Sequence, residues 1–263
     1  GLDAGNYTLT QPSATANITA RPLTVSATCV NKVYDATTAT TVTLSDNRVA
    51  GDVLTTSYTN ATFAGKSVGT GKTVNVSGIS ISGADAGNYT ANSTATATAD
   101  IMARTLAVSA TGVNKAYDGT TTATVTLADN RLAGDVLTTS YASAAFADKN
   151  IGTGKAVSVS SITVAGTDSG NYTANTTAST TANITAKSLT VSGLTANNKV
   201  YDGNTSATLN TGSAALVGVV SGETVTLNTG SATGAFANKN VGTSKPVTVS
   251  GLTIGDTDSG NYT

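Results

Sequence analysis

The chain has 263 residues, a formal net charge of −1 at pH 7, and neither histidine nor tryptophan. Lack of histidine removes the usual general base, zinc ligand and pH switch. Balanced charge removes the basic face that nucleic acid or anionic lipid would need.

Leu, Ile, Val and Phe together make up just under a fifth of the residues. With so little net charge and with apolar residues in strict alternation, small folded β domains are expected rather than disorder. Their cores must be thin and filled out by Ala and Thr methyl groups. No apolar run approaches the ~20 residues of a membrane-spanning helix. Cys29 has no partner for an internal disulfide and replaces the small residues Gly112 and Ala196, so it reads as a small packed side chain.

The chain repeats itself. Gly-Asn-Tyr-Thr occurs at 5–8, 87–90, 170–173 and 260–263. A second marker occurs as Tyr34-Asp35-Ala36, Tyr117-Asp118-Gly119 and Tyr201-Asp202-Gly203, its tyrosines 83 and then 84 residues apart. Such a period predicts a row of similar small domains. Residues 1–19 read as the C-terminal strands of a preceding repeat, Tyr7–Leu9 and Ala14–Ile18. Repeat 1 follows at 20–102, repeat 2 at 103–185 and repeat 3 at 186–263, the last without its closing strand. The joints, such as Ile101-Met102-Ala103-Arg104, contain no glycine, which points to a semi-rigid array.

Within a repeat the pattern is β throughout. Leu23–Ala27, Val42–Leu44 and Val74–Val76 alternate with period two between Gly, Asn and Asp punctuation. Val74 and Val76 share one phase, while Ile79 and Ile81 are shifted by one residue. A bulge or tight turn at Ser77-Gly78, and at its equivalents, must absorb the slip. After Tyr89 the alternation is long; the upstream copy carries Pro12 in its middle, so two strands with a turn near Asn92-Ser93 are expected. Repeat 3 has 61 residues between its marker tyrosines against 55 in the others, the excess falling at 211–230, which predicts an enlarged loop.

Several motifs that suggest chemistry have plainer readings. Gly69-Thr70-Gly71-Lys72-Thr73 runs into a strand pattern, not the helix that a phosphate loop requires. Asp256 and Asp258 have no third acid nearby in sequence, short of the oxygens calcium needs. Asn-x-Ser/Thr triplets, including those at Asn17, Asn60, Asn88, Asn92, Asn175 and Asn183, are frequent in so Thr-rich a chain and leave decoration by sugars open. No nucleophile with an activating partner recurs, so an enzyme, a metal and a cofactor are all unexpected.

Asp85-Ala86-Gly87-Asn88-Tyr89 and Asp168-Ser169-Gly170-Asn171-Tyr172 resemble the Asp-x-Gly-x-Tyr corner of immunoglobulin-like sandwiches. The resemblance implies that the tyrosine hydroxyl reaches back to the backbone a few residues upstream. Tyr89, Tyr172 and Tyr262 would act so, with Asp85 and Asp168 bracing the turn. The Cys two residues after the tyrosine is replaced by Ala91 and Ala174.

The Lys32-Val33-Tyr34-Asp35, Lys115-Ala116-Tyr117-Asp118-Gly119 and Lys199-Val200-Tyr201-Asp202-Gly203 segments resemble the YDG and MBG repeats of large secreted bacterial adhesins of the filamentous-haemagglutinin type. Ala36 in place of glycine makes a positive φ there unexpected. The resemblance covers the whole chain. It implies a surface-exposed or secreted stalk outside the bacterial cell. With the β pattern and the resemblance to the tyrosine corner, the expected fold is an all-β string of immunoglobulin-like sandwiches, about seven strands each, forming an elongated rod. Tyr34, Tyr117, Tyr201, Asp35, Asp118 and Asp202 would be structural. Such a segment would serve as a stalk or fibre in adhesion or biofilm, with neighbouring repeats as partners and host or matrix glycan or protein engaged by other regions. The alternative is a filament subunit joined by strand complementation between residues 1–19 and 186–263 of neighbouring units.

Overall fold

The computed structural model describes residues 4–263. Secondary structure among them is strands and four three-residue 3₁₀ turns, so the fold is all-β, built of many small sheets. Two compact units are distinguished. The first holds the residues up to Thr105 together with Leu132–Val136 and Thr167–Thr173; the second holds Leu106–Arg131, Leu137–Gly166 and Ala174–Thr263.

Repeat 1 has ten short strands: β1 Arg21–Leu23, β2 Val25–Cys29, β3 Lys32–Val33, β4 Val42–Asp46, β5 Thr55–Ser57, β6 Asn60–Phe63, β7 Gly69–Ser77, β8 Ser80–Ser82, β9 Tyr89–Ala91 and β10 Thr94–Met102. About seven are expected of an immunoglobulin-like sandwich. The excess arises because continuous runs change partners. β1 pairs in parallel with β9 and β2 antiparallel with β4, the switch falling at Thr24, whose N–H bonds to Asn47 Oδ1. Likewise β7 pairs with β6 and β10, whereas β8 pairs with β5. Gly78, at φ +66°, is the turn between them. The phase slip in the sequence is therefore a change of sheet. The Gly69–Lys72 segment lies in β7, and the turn expected at Asn92-Ser93 separates β9 from β10.

The four-stranded sheet runs β3-β10-β7-β6. Its long central ladder sets Ala95 opposite Val76 and Ala97 opposite Val74, and shifts between Ala99 and Ile101. Past that irregularity Ile101 and Met102 pair in parallel with Lys32 and Val33. Small Ala side chains facing Val keep the core thin but closed: Val74, Val76, Leu23, Val25 and Ile101 are buried. Burial of each such aliphatic side chain stabilises by about 1.5–3 kcal/mol. Repeat 2 reproduces the same ladders within the second unit, with Val157, Val159, Leu106 and Ile184 buried.

Asn92 closes the sheet edge at β2. Its Oδ1 accepts from Val25 N at 2.7 Å and its Nδ2 donates to Val25 O at 3.0 Å, the two-way bond a strand backbone would make. Asn175 treats Val108 identically. Both amides of these Asn-x-Ser/Thr triplets are committed to the fold.

Repeat 3 is looser. Thr190–Ser192 pairs with Ala215–Val217 and Thr195–Ala196 with Leu209–Asn210, residues 211–214 being looped out between them. Residues 229–232 form a turn where repeat 1 needs only Tyr58 and Thr59. The excess residues are thus split between two places and do not form one enlarged loop. Residues 7–20 hold no strand, although strands are expected at Tyr7–Leu9 and Ala14–Ile18. A strand exists through its ladder, and this segment pairs with nothing among the described residues.

Candidate functional site: the tyrosine clasps

The Lys-x-Tyr-Asp segment forms a tight loop around its lysine. Lys32 Nζ donates to Asp35 Oδ1 at 2.8 Å, Thr37 O at 2.9 Å and Ala39 O at 3.0 Å, and lies over the Phe63 ring. Asp35 Oδ1 also accepts from Thr37 N at 2.9 Å. Burial raises the Asp35 pKa, but these donors outweigh it and hold the carboxyl below its ordinary value. Lys115 with Asp118 and Phe146, and Lys199 with Asp202 and Phe236, repeat the arrangement. Ala36 sits at φ +64°, close to Gly119 at +77° and Gly203 at +80°, contrary to expectation. The bonds converging on Asp35 fix the loop strongly enough to hold a non-glycine residue there.

This loop delivers the marker tyrosine to a neighbouring repeat. Tyr34 N donates to Met102 O at 2.9 Å, and its side chain is 1% exposed. Its hydroxyl donates to Asp135 Oδ1 at 3.1 Å, and its ring meets that of Tyr172 edge-on at 5.6 Å. Tyr172 donates to the other oxygen of Asp135 at 2.7 Å. Lys66 approaches Asp135 at 3.4 Å and Asp168 at 3.8 Å. Asn171, buried, accepts from Val68 N at 2.9 Å. All these residues lie in the first compact unit.

The second unit contains the same construction. Tyr117 and Tyr262 donate to the two oxygens of Glu223, their rings edge-on at 5.5 Å. Lys149 pairs with Glu223 at 2.6 Å, and Ile151 N donates to Asn261 Oδ1 at 3.1 Å. One carboxylate thus holds two tyrosines from successive repeats, with a lysine neutralising it. Burial pushes the Asp135 carboxyl up, yet the bonds from Tyr172, Tyr34 and Lys66 bring it below its ordinary value. Glu223 is held low in the same way by Lys149, Tyr117 and Tyr262. Burial, then the bond to Glu223, pushes Tyr262 up to about 12.

The Gly-Asn-Tyr tyrosines do reach back to the backbone, but much further than a few residues. Tyr89 OH accepts from Val49 N, 40 residues upstream, at 2.9 Å and donates to Asp52. Tyr172 accepts from Leu132 N at 2.9 Å and Tyr262 from Val220 N at 3.0 Å. Asp85 Oδ2 accepts from Val53 N at 2.8 Å and Asp168 Oδ2 from Val136 N at 2.9 Å, tying the turn to the same loop. Asp258 does this for Thr224, so it has a task other than pairing with Asp256.

Tyr201 differs from its counterparts: it is 58% exposed. Cys29 is half-buried, its sulfur near Thr40 Oγ1 and Thr41 O. The clasp carboxylates were not singled out from the sequence, although a signal was present. Gly51-Asp52, Gly134-Asp135 and Gly222-Glu223 keep step with the markers, and the chain's single Glu falls at that place. Among the described residues, no three His, Cys, Asp or Glu side chains converge as a metal site would need, and no helix is long and apolar enough to cross a membrane.

The YDG domain model matches the chain three times in tandem, at residues 19–98, 102–182 and 185–263. The chain belongs to the YDG domain family. No curated protein and no solved structure matches it. Each matched YDG domain contains one lysine-centred loop and one Gly-Asn-Tyr turn, so both halves of a clasp are parts of the repeated unit.

Proposed function

We propose that this YDG array is a structural stalk or fibre segment of a secreted or surface-anchored bacterial adhesin or biofilm-matrix protein. Its role is to hold a binding region away from the cell, and no reaction is assigned to it. The observation that carries the reading is the repeated clasp. Tyr34–Asp135–Tyr172 and Tyr117–Glu223–Tyr262 link successive repeats through buried, fully bonded groups. The strand-to-strand connection from Met102 to Arg104 leaves a single residue for bending. Joints of that kind suit a tether that resists folding back. Partners on this reading are neighbouring repeats, with host or matrix glycan or protein engaged elsewhere.

Small-angle scattering tests it. A compact chain of this length has a radius of gyration of about 18 Å, whereas three repeats end to end, at ~3.3 Å per residue over about ten residues each, give roughly 30 Å. The lower value would exclude a stalk.

A second reading, strand complementation between chains, is favoured by a specific pair of features. Ile101 and Ile184 are 1% and 2% exposed in closing strands, whereas Ile18, in the matching Ala14–Ile18 segment, is fully exposed. In repeat 3 a groove of about 830 Å³ lies between Lys199–Tyr201 and Asn238–Val247, the segments that flank the closing strand in repeats 1 and 2. Strand addition there would satisfy both edges. Removing residues 1–19 should abolish end-to-end assembly; filaments that persist would exclude it.

A further inference from the structure

Tyr34 and Tyr172 are two phenols from successive repeats, held ring to ring around one base. They are 1% and 9% exposed, and their rings meet edge-on with centroids 5.6 Å apart. Both hydroxyls converge on Asp135, at 3.1 Å from Tyr34 and 2.7 Å from Tyr172. Hydroxyls drawn to one carboxylate place the ortho carbons beside them on the near side of the pair. Further bonds fix each residue: Tyr34 N donates to Met102 O and Tyr172 OH accepts from Leu132 N, both at 2.9 Å. Half-buried Tyr58 and Tyr141 are different. Their hydroxyls accept from Val42 N and Val125 N, and neither ring pairs with another among the described residues.

This setting suits one-electron chemistry. A phenol that loses an electron becomes a strong acid, and a base already bonded to it takes the proton without rearrangement. Burial, then the bond to Asp135, raises the pKa of both phenols, so each still carries its proton at neutral pH. Asp135 lies below its ordinary value despite burial and is therefore ionised, free to accept. Lys66, its side chain 43% exposed and 3.4 Å from Asp135, links that carboxylate to water. The electron itself can leave through the protein, so an oxidant need not touch either ring.

We propose that Tyr34 and Tyr172 form a cross-linking site, which a one-electron oxidant such as a peroxidase with hydrogen peroxide converts to dityrosine, joining repeat 1 covalently to repeat 2. The oxidant removes one electron from each phenol, and each phenolic proton passes to Asp135 and then to water. The two phenoxyl radicals couple at their ortho carbons, forming one C–C bond. The hydrogens on those carbons move to the phenol oxygens and restore both aromatic rings. Two electrons and two protons leave in all, and one hydrogen peroxide takes them up to become two waters. The step does not depend on the stalk reading, although a stalk would gain from it a joint that cannot open.

Photo-oxidation of the whole 263-residue chain with a ruthenium tris-bipyridyl complex and persulfate tests this, at a dilution that keeps chains apart. The product should be a monomer lighter by two hydrogen atoms, with dityrosine fluorescence. It should run ahead of the untreated chain on a denaturing gel, because the loop from 34 to 172 stays closed. Proteolysis and mass spectrometry should find the Tyr34 and Tyr172 peptides joined, a preference that oxidation in concentrated urea removes. Tyr34→Phe should abolish that product, and Tyr141→Phe should leave its yield unchanged. Asp135→Asn still accepts a hydrogen bond but is a far weaker base, so it should lower the yield at least tenfold. Dityrosine formed only between chains, or within the wild type at other tyrosines in place of Tyr34 and Tyr172, would overturn the proposal. A folded Asp135→Asn chain that couples as fully as the wild type would overturn the part given to the carboxylate.

Discussion

Asp135 and Glu223 perform one task with side chains of different length. Each accepts from two phenols, so removing it leaves two buried hydroxyls without the acceptor they have among the described residues. Such a loss costs about 3 kcal/mol, and Asp135→Ala should lower the urea midpoint accordingly, while Asp135→Asn, which still accepts, should lose less. The pH dependence follows from the same groups. Both carboxyls lie below their ordinary value in the fold, so their contribution is complete above the unfolded carboxylate pKa near 4 and disappears as pH falls through the lower folded values. Tyr262 is shifted upward to about 12. Its contribution is complete below the ordinary tyrosine value near 10 and vanishes as pH rises through about 12. Urea midpoints measured across pH should therefore fall at both extremes. Tyrosinate absorbance should show a late-titrating group, since Tyr34, Tyr89, Tyr117 and Tyr172 are raised as well as Tyr262, and Glu223→Ala should advance Tyr117 and Tyr262 only in part, because burial is the larger cause in both. At this scale the sequence was half legible. Both tyrosine sets stood out because they recur in fixed motifs. The acids that join them lie in separate repeats, and no spacing rule brings Tyr34 to Asp135, 101 residues away.

Among the elements, the strand turn at Gly78 shows how a one-residue phase slip was readable while its cause was not. A Cβ built on Gly78 would lie 2.4 Å from Thr59 Oγ1, and the residue sits at φ +66°. Repeat 2 has Ser161 at the same turn, at φ +54°, with Ala142 standing where Thr59 stands. The hydroxyl and the glycine are thus coupled. Gly78→Ser should cost about 1–3 kcal/mol, and Thr59→Ala in the same chain should recover much of it, a non-additivity that a double-mutant cycle by thermal melting would read. Additive losses would show that the left-handed conformation alone sets the cost. The strand count illustrates the same limit. Alternation marks where a run is extended, but Thr24 and Gly78 change its partner without interrupting the alternation enough to be seen.

For the molecule as a whole, burial is uneven along the array, and unfolding should follow it. Among residues 186–263 only Asn261 and Tyr262 are fully buried, and both belong to the clasp with repeat 2. Repeat 3 also loses the Arg48–Asp46 pair, whose arginine donates to Leu54 O; Leu216 stands opposite Val191 where Asp46 stands opposite Val25. In repeat arrays stability is a sum of unit and interface terms. Here the interface term is large and the term for repeat 3 is small, so in this 263-residue chain repeat 3 should open first, up to its clasp and no further. Hydrogen exchange should find the amides of Thr190–Ser192 and Ala215–Val217 exchanging early, and those of Val74–Val76 and Val157–Val159 last. Glu223→Ala should accelerate exchange at Tyr117 and Tyr262 together, while leaving the 74–76 amides unchanged. Equal acceleration in all three repeats would mean that the array unfolds as one cooperative block, with clasps that transmit rather than confine the opening.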